Sequence, residues 1–227
     1  LVQSITQNGQ NFSYTYDNVG NITSVTRNGL TTTYVYDKLG QLIRENDPHA
    51  NKTTVYNYDR GGNILSCVEY AYTTGTLGAA TQTTAYTYGD SNWKDKVTAI
   101  GGKTITYDAI GNPLTYDGWT FTWKAGRMLA SMVKVVNGIT TNYTLNGKNV
   151  VHMTQGSHDL HFFYDAQGKP GMVTYNDVDY FYVYNLQGDV VALIDADGTQ
   201  VVEYVYNAWG NPISKTGSLA ATIGTLN

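Results

Sequence analysis

The sequence predicts an all-β protein, an array of antiparallel β-hairpins that forms a long curved or spiralling sheet. Three observations predict this fold class. A short aromatic motif recurs along the chain, glycine-containing turn signals separate runs of alternating residues, and no stretch has convincing helical periodicity. A unit repeated at short intervals is typical of arrays in which neighbours supply each other's core, not of a globule around one active site.

The recurring unit has two aromatic residues separated by one residue, then Asp or Asn, then Gly three positions later. Five close copies share this pattern: Tyr14, Tyr16, Asp17 and Gly20; Tyr34, Tyr36, Asp37 and Gly40; Tyr56, Tyr58, Asp59 and Gly62; Tyr182, Tyr184, Asn185 and Gly188; Tyr204, Tyr206, Asn207 and Gly210. Degenerate copies lie between them: Ile105, Tyr107, Asp108 and Gly111; Phe121, Trp123 and Gly126; Phe162, Tyr164, Asp165 and Gly168.

Each position of the unit has a predicted structural role. Two aromatics one residue apart point to the same face of a strand, because side chains alternate with period two. Asp or Asn suits the first position of a β-turn, and Gly suits the fourth, where a positive φ is often required. The following residues, such as Ile22-Thr23-Ser24-Val25, alternate again and predict a returning strand. We therefore expect strand, turn and strand in each unit, with the ring pairs stacked as ladder rungs between units.

The connections between units carry their own turn signals. Asn28-Gly29, Asn137-Gly138 and Asn146-Gly147 are typical of two-residue hairpin turns. The segment from Gly126 to Val136 could form a helix, but its Val pairs and flanking Gly favour strands. Residues 1–214 are therefore predicted to form one repeat array, and residues 215–227, which are small and polar, a flexible C-terminal tail.

Composition narrows the class of partner. The chain of 227 residues contains 24 Gly and 20 Tyr, the two residues that the repeat uses most, and only 14% charged residues. A net charge of -4 without a basic cluster argues against nucleic acid. No apolar run is long enough to span a membrane. No secretion signal is visible and the sequence begins close to the middle of a repeat, so we expect it to be a segment of a longer protein. Cys67 is the lone cysteine, which excludes an internal disulfide framework.

The histidines do not predict a metal site. His152, His158 and His161 lie in one stretch, but His158 and His161 are three residues apart and would lie on opposite faces of a strand. Exposed or cross-strand histidines explain the pattern.

Other candidate chemistry is equally weak. Asp195 and Asp197 lack the further acidic ligands of a calcium loop and fit a hairpin turn. Asp177 and Asp179 lie two residues apart along one predicted strand. The two carboxylates of a glycosidase face each other across a cleft, so this pair does not predict one. Ser157 has no nucleophile elbow around it. The sequence therefore predicts no catalytic, cofactor-binding or metal-binding residue and no enzyme.

The Tyr-x-Tyr-Asp-x-x-Gly-Asn units resemble the YD repeats of RHS proteins, which are relatives of the teneurin shell and of toxin-complex cocoon subunits. The run from Tyr204 to Pro212 is similar to the last such unit before the RHS core, and the core signature itself is absent from this sequence. The resemblance implies a long sheet that spirals into a hollow shell around a cargo polypeptide of the same protein, often a C-terminal toxin. It also implies a secreted or cell-surface bacterial protein.

Carbohydrate or cell-wall binding is the alternative. Aromatic rings repeated along a surface can stack on sugars, so a cell-surface glycan is the partner under this interpretation. The first rings of the five close copies would then be exposed platforms: Tyr14, Tyr34, Tyr56, Tyr182 and Tyr204. Under the shell interpretation the same rings pack against neighbouring repeats. Burial distinguishes the two hypotheses.

Overall fold

The computed structural model describes residues 1–7 and 10–226. Within these residues, two antiparallel sheets account for nearly all regular structure. The first sheet has ten strands: β1 (Ser4–Gln7), β2 (Gln10–Tyr16), β3 (Ile22–Arg27), β4 (Leu30–Tyr36), β5 (Leu42–Asp47), β6 (Lys52–Tyr58), β7 (Ile64–Ala71), β8 (Ala80–Thr87), β9 (Ala99–Ile100) and β10 (Lys103–Thr104).

The second sheet has twelve strands within the described residues: β11 (Thr106–Tyr107), β12 (Pro113–Tyr116), β13 (Trp119–Lys124), β14 (Met128–Lys134), β15 (Thr140–Asn146), β16 (Asn149–Gln155), β17 (His158–Tyr164), β18 (Pro170–Tyr175), β19 (Val178–Tyr184), β20 (Val190–Ile194), β21 (Gln200–Tyr206) and β22 (Pro212–Thr216). A four-residue helix follows, α1 (Ile223–Leu226). Among the described residues there is no helix with the length and apolar character that a membrane crossing needs.

Strand order equals chain order in both sheets, so each strand pairs with the strands before and after it. This is the meander expected of consecutive hairpins, and it confirms the predicted all-β array. The segment from 126 to 136, where a helix was the lesser alternative, contains strand β14. The small polar stretch after Tyr72 lies between β7 and β8 as a loop.

A β-bulge recurs where the second aromatic of a unit meets the returning strand. Thr15 pairs with Ser24, but Tyr16 pairs with Ile22, so Thr23 is an extra residue on β3. The same one-residue shift occurs at Tyr36, Tyr58, Tyr107, Trp123, Leu145, Tyr164 and Tyr184. A bulge increases local twist and leaves ladder groups without their regular partners.

The chain divides into two compact units, described separately here. Unit 1 comprises Leu1–Gly102, Asn185–Asp189 and Val205–Ser214. Its buried residues include the rings of Phe12, Tyr14 and Tyr56, but also a polar group on β5 and β6 that contains Glu45 and Thr53. Buried polar side chains require partners, and Thr53 Oγ1 donates to the carbonyl of Thr73 at 2.8 Å.

Unit 2 comprises Lys103–Tyr184, Val190–Tyr204 and Lys215–Asn227. Its core is mostly aliphatic, with Leu160, Val173, Leu193 and Val202 fully buried. In the segment predicted as a flexible tail, residues 215–216 belong to β22 and Ile223 of α1 is fully buried. Its last residue, Asn227, lies outside the described residues, and the domain boundary after residue 214 stays a prediction.

Candidate functional site

The turn of each repeat is closed by the Asp or Asn that follows the second aromatic. Asp17 is representative: its Oδ1 accepts hydrogen bonds from the backbone N–H groups of Val19 at 3.0 Å and Asn21 at 2.8 Å. Its carbonyl accepts from Gly20 N at 3.2 Å, and Gly20 has a φ of 98°. The glycine four positions into the turn therefore adopts a backbone conformation that side chains with a Cβ disfavour.

The same turn geometry recurs in the other copies. The backbone hydrogen bond from glycine to the turn-forming residue is present at Gly40 and Asp37, Gly62 and Asp59, Gly111 and Asp108, Gly168 and Asp165, Gly188 and Asn185, Gly198 and Asp195, and Gly210 and Asn207. The structure thus places each predicted Asp or Asn and Gly pair in a turn. Asp195 and Asp197, considered above as a calcium motif, belong to one of these turns.

An acid and an amide face each other across several turns. Asn63 Nδ2 donates to Asp59 Oδ2 at 2.9 Å, and Asn63 N donates to Asp59 Oδ1 at 2.9 Å. These hydrogen bonds, the side-chain bond first, hold the pKa of Asp59 below its usual 3.8. In the later turn the order is reversed, because Asn185 Nδ2 donates to Asp189 Oδ2 at 2.7 Å. Where a turn of this kind pairs an acid with an amide, the acid can therefore lie at either end.

The first aromatic of each unit is enclosed. Tyr14 and Tyr56 are 4% exposed and Tyr204 is 3% exposed, whereas Tyr34 and Tyr182 are half-buried. Burial raises the pKa of the Tyr34 and Tyr56 hydroxyls well above the ordinary 10.0. None of the five stands as the exposed platform that the carbohydrate interpretation required.

The second aromatic of several units donates a hydrogen bond from its polar atom to the backbone of the preceding unit, and so does Tyr88, which lies just after β8. Tyr36 Oη donates to the carbonyl of Ile22, on the neighbouring strand β3, at 2.9 Å. Six further rings repeat this contact: Tyr16 with Val2 (2.5 Å), Tyr58 with Leu42 (2.7 Å), Tyr88 with Ile64 (2.9 Å), Trp123 Nε1 with Pro113 (2.7 Å), Tyr164 with Val150 (2.6 Å) and Tyr184 with Pro170. Each half-buried ring thus ties one repeat to the backbone of the one before it.

The accepting carbonyl has a fixed position relative to the bulge. Ile22 immediately precedes the extra residue Thr23 on β3, and Leu42 immediately precedes the extra residue Ile43 on β5. Ile64, Pro113, Val150 and Pro170 hold the same position on their strands. A bulge disrupts the local ladder, and the ring of the next unit brings a hydrogen-bond donor to the carbonyl at this point. The bulge of one repeat and the aromatic hydrogen bond from the next repeat therefore occur together at a fixed position.

The last repeat contributes a contact to the core of unit 1. The backbone N–H of Ala208 donates to Glu45 Oε1 at 2.8 Å, and Tyr56 Oη donates to Glu45 Oε2 at 3.2 Å. Trp209 packs edge-on against Tyr56, with ring centroids 5.5 Å apart. Glu45 is 2% exposed, and this burial raises its pKa to about 7. Removing a carboxylate from water favours its protonated form.

A cleft of about 490 Å³ opens in unit 1 beside this contact. Rings and amides line it, among them Tyr34, Tyr36, Tyr58, Trp209, Gln41 and Gln187. The hydroxyls of Tyr36 and Tyr58 are engaged by backbone carbonyls, as described above. Trp209, which is 52% exposed, offers an accessible ring at the cleft.

Unit 2 brings three potential ligand side chains together. His152 on β16 pairs directly with His161 on β17, and Asp159 lies two residues before His161 on the same face. Asp159 Oδ2 lies 3.0 Å from His152 Nε2, and its Oδ1 lies 2.9 Å from His161 Nε2. The hydrogen bond with His152 contributes most to holding the pKa of Asp159 below its usual value. His158 lies on the opposite face, as predicted, with its Nδ1 2.7 Å from Tyr175 Oη.

Sequence reasoning missed this grouping because it compared His158 with His161 and left His152 aside. A local signal was present. Gly156 and Ser157 form a two-residue link between β16 and β17, and His152 and His161 lie four residues on either side of it. Equal distances from a two-residue hairpin turn place two residues opposite each other.

Comparison with known proteins agrees with this geometry. A family model described as RHS Repeat matches residues 16–51, which include the whole unit from Tyr34 to Gly40 and the first unit from Tyr16 onward. The chain belongs to the RHS-repeat proteins. Its remaining units repeat the same turn, bulge and tyrosine contacts, so the RHS architecture extends well beyond the matched residues.

Two of the relatives are WapA nucleases of Bacillus. The chain is 30% identical over 204 residues to the tRNA3(Ser)-specific nuclease WapA of Bacillus spizizenii and, over the same length, to the tRNA nuclease WapA of Bacillus subtilis. These alignments cover 78% of this RHS chain but only 8% of each relative. The chain therefore corresponds to a small part of those proteins.

Solved structures share the fold. A chain in the structure of the Photorhabdus luminescens Tc holotoxin pore superimposes with a TM-score of 0.65 at 19% identity, and a chain in the crystal structure of TcdB2-TccC3-Cdc42 with a TM-score of 0.64 at 16% identity. Each superposition covers 92% of the RHS chain described here and 14% of the other chain. The similarity shows that these chains share a fold at low sequence identity.

Proposed function

We propose that this chain is a wall segment of an RHS-type shell that encloses a cargo polypeptide of the same protein. The observation that carries the proposal is the repeated hydrogen bond from the second ring of a repeat to the bulge carbonyl of the repeat before it. Such a contact serves continuity between repeats rather than recognition of a ligand. Since the first rings are buried or half-buried as well, the aromatic side chains of the repeats pack within the array.

A wall segment needs side chains that stabilise the sheet and does not need catalytic residues. The predicted Tyr, Asp, Asn and Gly residues are assigned structural roles, and the segment itself is proposed to have no enzymatic activity. The WapA relatives are nucleases, and we assign no such activity to this segment, because the alignment covers only 8% of each of them. A toxin is the class of cargo that the RHS resemblance suggests. The protein is accordingly proposed to be secreted or displayed at the cell surface.

Limited proteolysis tests the enclosure. The whole natural polypeptide that carries this segment is digested with a protease of broad specificity, and fragments are assigned by mass spectrometry over a urea series. We expect the cargo to resist digestion until urea unfolds the repeats, whereas the cargo expressed alone is cleaved without urea. Equal cleavage of the enclosed and the separate cargo would contradict the proposal.

Variants of the tyrosine contacts make the test specific. Phenylalanine at Tyr36, Tyr58 and Tyr164 removes three hydroxyl groups and leaves the rings. We expect the cargo in this variant to become cleavable at lower urea concentration. The control is Tyr72→Phe, at a tyrosine that is 37% exposed. If both proteins protect the cargo equally, the tyrosine contacts do not maintain the wall.

Carbohydrate binding is the second candidate, and the cleft in unit 1 is the observation that favours it. Aromatic faces combined with amides are suited to sugars, and Trp209 is accessible there. Tryptophan fluorescence of the chain, titrated with cell-wall oligosaccharides, measures this directly. Trp209→Ala abolishes binding under this hypothesis, whereas the exposed Trp93→Ala serves as the matched control. No saturable response would leave the wall as the function of this region.

A further inference from the structure

We infer that His152, Asp159 and His161 form a binding site for a divalent transition-metal ion of the zinc class. The site lies on one hairpin, β16 and β17, so a metal bound there would join two neighbouring strands of the RHS sheet. The inference does not depend on enclosure of a cargo. It rests on the positions of three side chains within unit 2.

Backbone register places the three ligands on one face. His152 and His161 are cross-strand partners, and residues two apart on a strand share a face, so Asp159 lies beside both. The two imidazole rings are stacked with centroids 4.3 Å apart and planes 12° apart. Both Nε2 atoms consequently point toward the same carboxylate. One potential ligand atom from each residue lies within 4.8 Å of the other two.

The distances suit a small metal ion. In tetrahedral coordination with Zn–N and Zn–O distances near 2.0–2.1 Å, ligand atoms lie about 3.3 Å from each other. Asp159 Oδ2 lies 3.0 Å from His152 Nε2 and Asp159 Oδ1 lies 2.9 Å from His161 Nε2, so the three side chains must shift slightly to place one oxygen and both nitrogens around an ion. Binding replaces the Nε2 protons that now point toward the carboxylate, since a coordinating histidine must present a free nitrogen.

The surroundings favour entry of a cation from solvent. The side chains of His152, Asp159 and His161 are 30%, 48% and 52% exposed. Thr144 and Thr174 pair with the two histidines on the flanking strands, so no positive charge occupies those positions. Asp179, which accepts a hydrogen bond from Thr174 at 2.6 Å, adds negative charge nearby. Three protein ligands leave a fourth coordination position for water.

The donor set selects the class of ion. Two imidazoles and one carboxylate suit zinc, copper and nickel, whereas magnesium and calcium prefer sites made entirely of oxygen. Because the ligands are exposed and come from a single hairpin, we expect micromolar rather than tighter affinity for Zn²⁺. A bound ion would link β16 to β17 and stabilise this hairpin locally.

Isothermal titration of the tag-free chain with ZnCl₂ tests the site. We expect one Zn²⁺ per chain and a rise in melting temperature with added Zn²⁺, with no response to MgCl₂. Asp159→Asn and His161→Gln are conservative variants at exposed side chains, and each should weaken Zn²⁺ binding at least tenfold. His158→Gln, on the opposite face of the same strand, should bind as the parent does, and so should Cys67→Ser.

Cobalt provides a second measurement that does not rely on stability. Co²⁺ in place of Zn²⁺ should give the visible absorption of a tetrahedral site in the parent and in His158→Gln, and lose it in His161→Gln. Circular dichroism of each variant establishes that its sheet is intact. No stoichiometric binding by the parent, or equal affinity in the parent and in His161→Gln, would overturn the inference.

Discussion

The carboxylate of Glu45 accepts a hydrogen bond from the backbone N–H of Ala208, which lies 163 residues further along the chain. The acceptor is on β5 and the donor is in the turn of the last close repeat, yet both belong to unit 1. The carboxylate is 2% exposed and also receives the hydroxyl of Tyr56. A titratable side chain in the core of unit 1 is therefore hydrogen-bonded directly to the last close repeat.

Glu45 should make the stability of the chain fall as pH rises. Burial raises its pKa from 4.5 to about 7, so the folded chain retains a proton that the unfolded chain releases between these values. The contribution is greatest below pH 4.5, and about 3 kcal/mol is lost by pH 7. In Glu45→Gln the neutral amide can still accept from Ala208. We therefore expect similar stability to the parent near pH 4.5 and higher stability at pH 8, measured by urea unfolding across this range.

A matched control for this prediction is Glu203→Gln, at a half-buried glutamate of β21. The urea midpoint of this variant should follow the parent across the whole pH series. If Glu45→Gln loses stability at pH 8 relative to the parent, the carboxylate contributes more as an ion than its burial costs, and the prediction is wrong.

Removing the hydroxyl of Tyr58 should measure the contact that links repeats. Its Oη donates to the carbonyl of Leu42 at 2.7 Å, and burial raises the pKa of this hydroxyl to about 12. Tyr58→Phe leaves a carbonyl beside a bulge without this donor, so we expect a loss of about 1 to 2 kcal/mol in the free energy of unfolding. The exposed Tyr72→Phe should change it by less than about 0.5 kcal/mol. Equal losses in the two variants would mean that water replaces the donor at Leu42.

The local half of this structure was predictable from the sequence. Asp17 and Gly20 lie in one turn, and the hydrogen bonds of this turn join residues at most four positions apart. Alternation placed both rings of each pair on one face, and the Asn-Gly links separated the hairpins. Such signals are short-ranged, so a single sequence contains them completely.

The remaining half depends on which residues meet across strands. Nothing near Glu45 indicates that Ala208 will cover it, because the two are brought together only by the folded chain. The tyrosine pairs were interpreted as stacked rungs, and the hydrogen bond from the second hydroxyl to a bulge carbonyl was missed. A bulge is set by the register of two strands, which a tyrosine spacing does not specify.

The acid and amide pairs in the turns predict a difference between two otherwise identical substitutions. Asn185→Asp would place a carboxylate at the position from which Asn185 Nδ2 now donates to Asp189 at 2.7 Å. Asn207→Asp would instead face Asn211, as Asp17 faces Asn21 in the first copy. We expect the former to lower the free energy of unfolding by about 1 kcal/mol at pH 7 and the latter to leave it nearly unchanged.

Acid provides the check on this mechanism. Below about pH 2 the carboxyl groups are protonated, including those whose pKa the turn lowers, and the repulsion disappears, so the two variants should then have equal melting temperatures. A difference that persists in acid would have to come from packing rather than from charge.

Gly217 should be the least replaceable glycine near the C-terminal end of the described residues. Its φ is 118°, and an added Cβ would lie 2.3 Å from the carbonyl oxygen of Val201. The same oxygen accepts from Leu219 N at 3.0 Å, so the backbone after β22 lies directly against β21. Gly217→Ala should therefore destabilise the chain by about 3 kcal/mol, since neither backbone can move away without loss of hydrogen bonds.

Gly210→Ala is the matched control, because Gly210 also has a positive φ, 75°, but nothing within 4 Å of an added Cβ. We expect it to cost about 1 kcal/mol from backbone strain alone.

The urea midpoints of the two variants also test the domain boundary after residue 214, which the sequence predicts. If residues 215–226 are a flexible tail, Gly217→Ala will cost nothing. If they pack on β21, with Ile223 buried as the structure has it, Gly217→Ala will be the more damaging of the two.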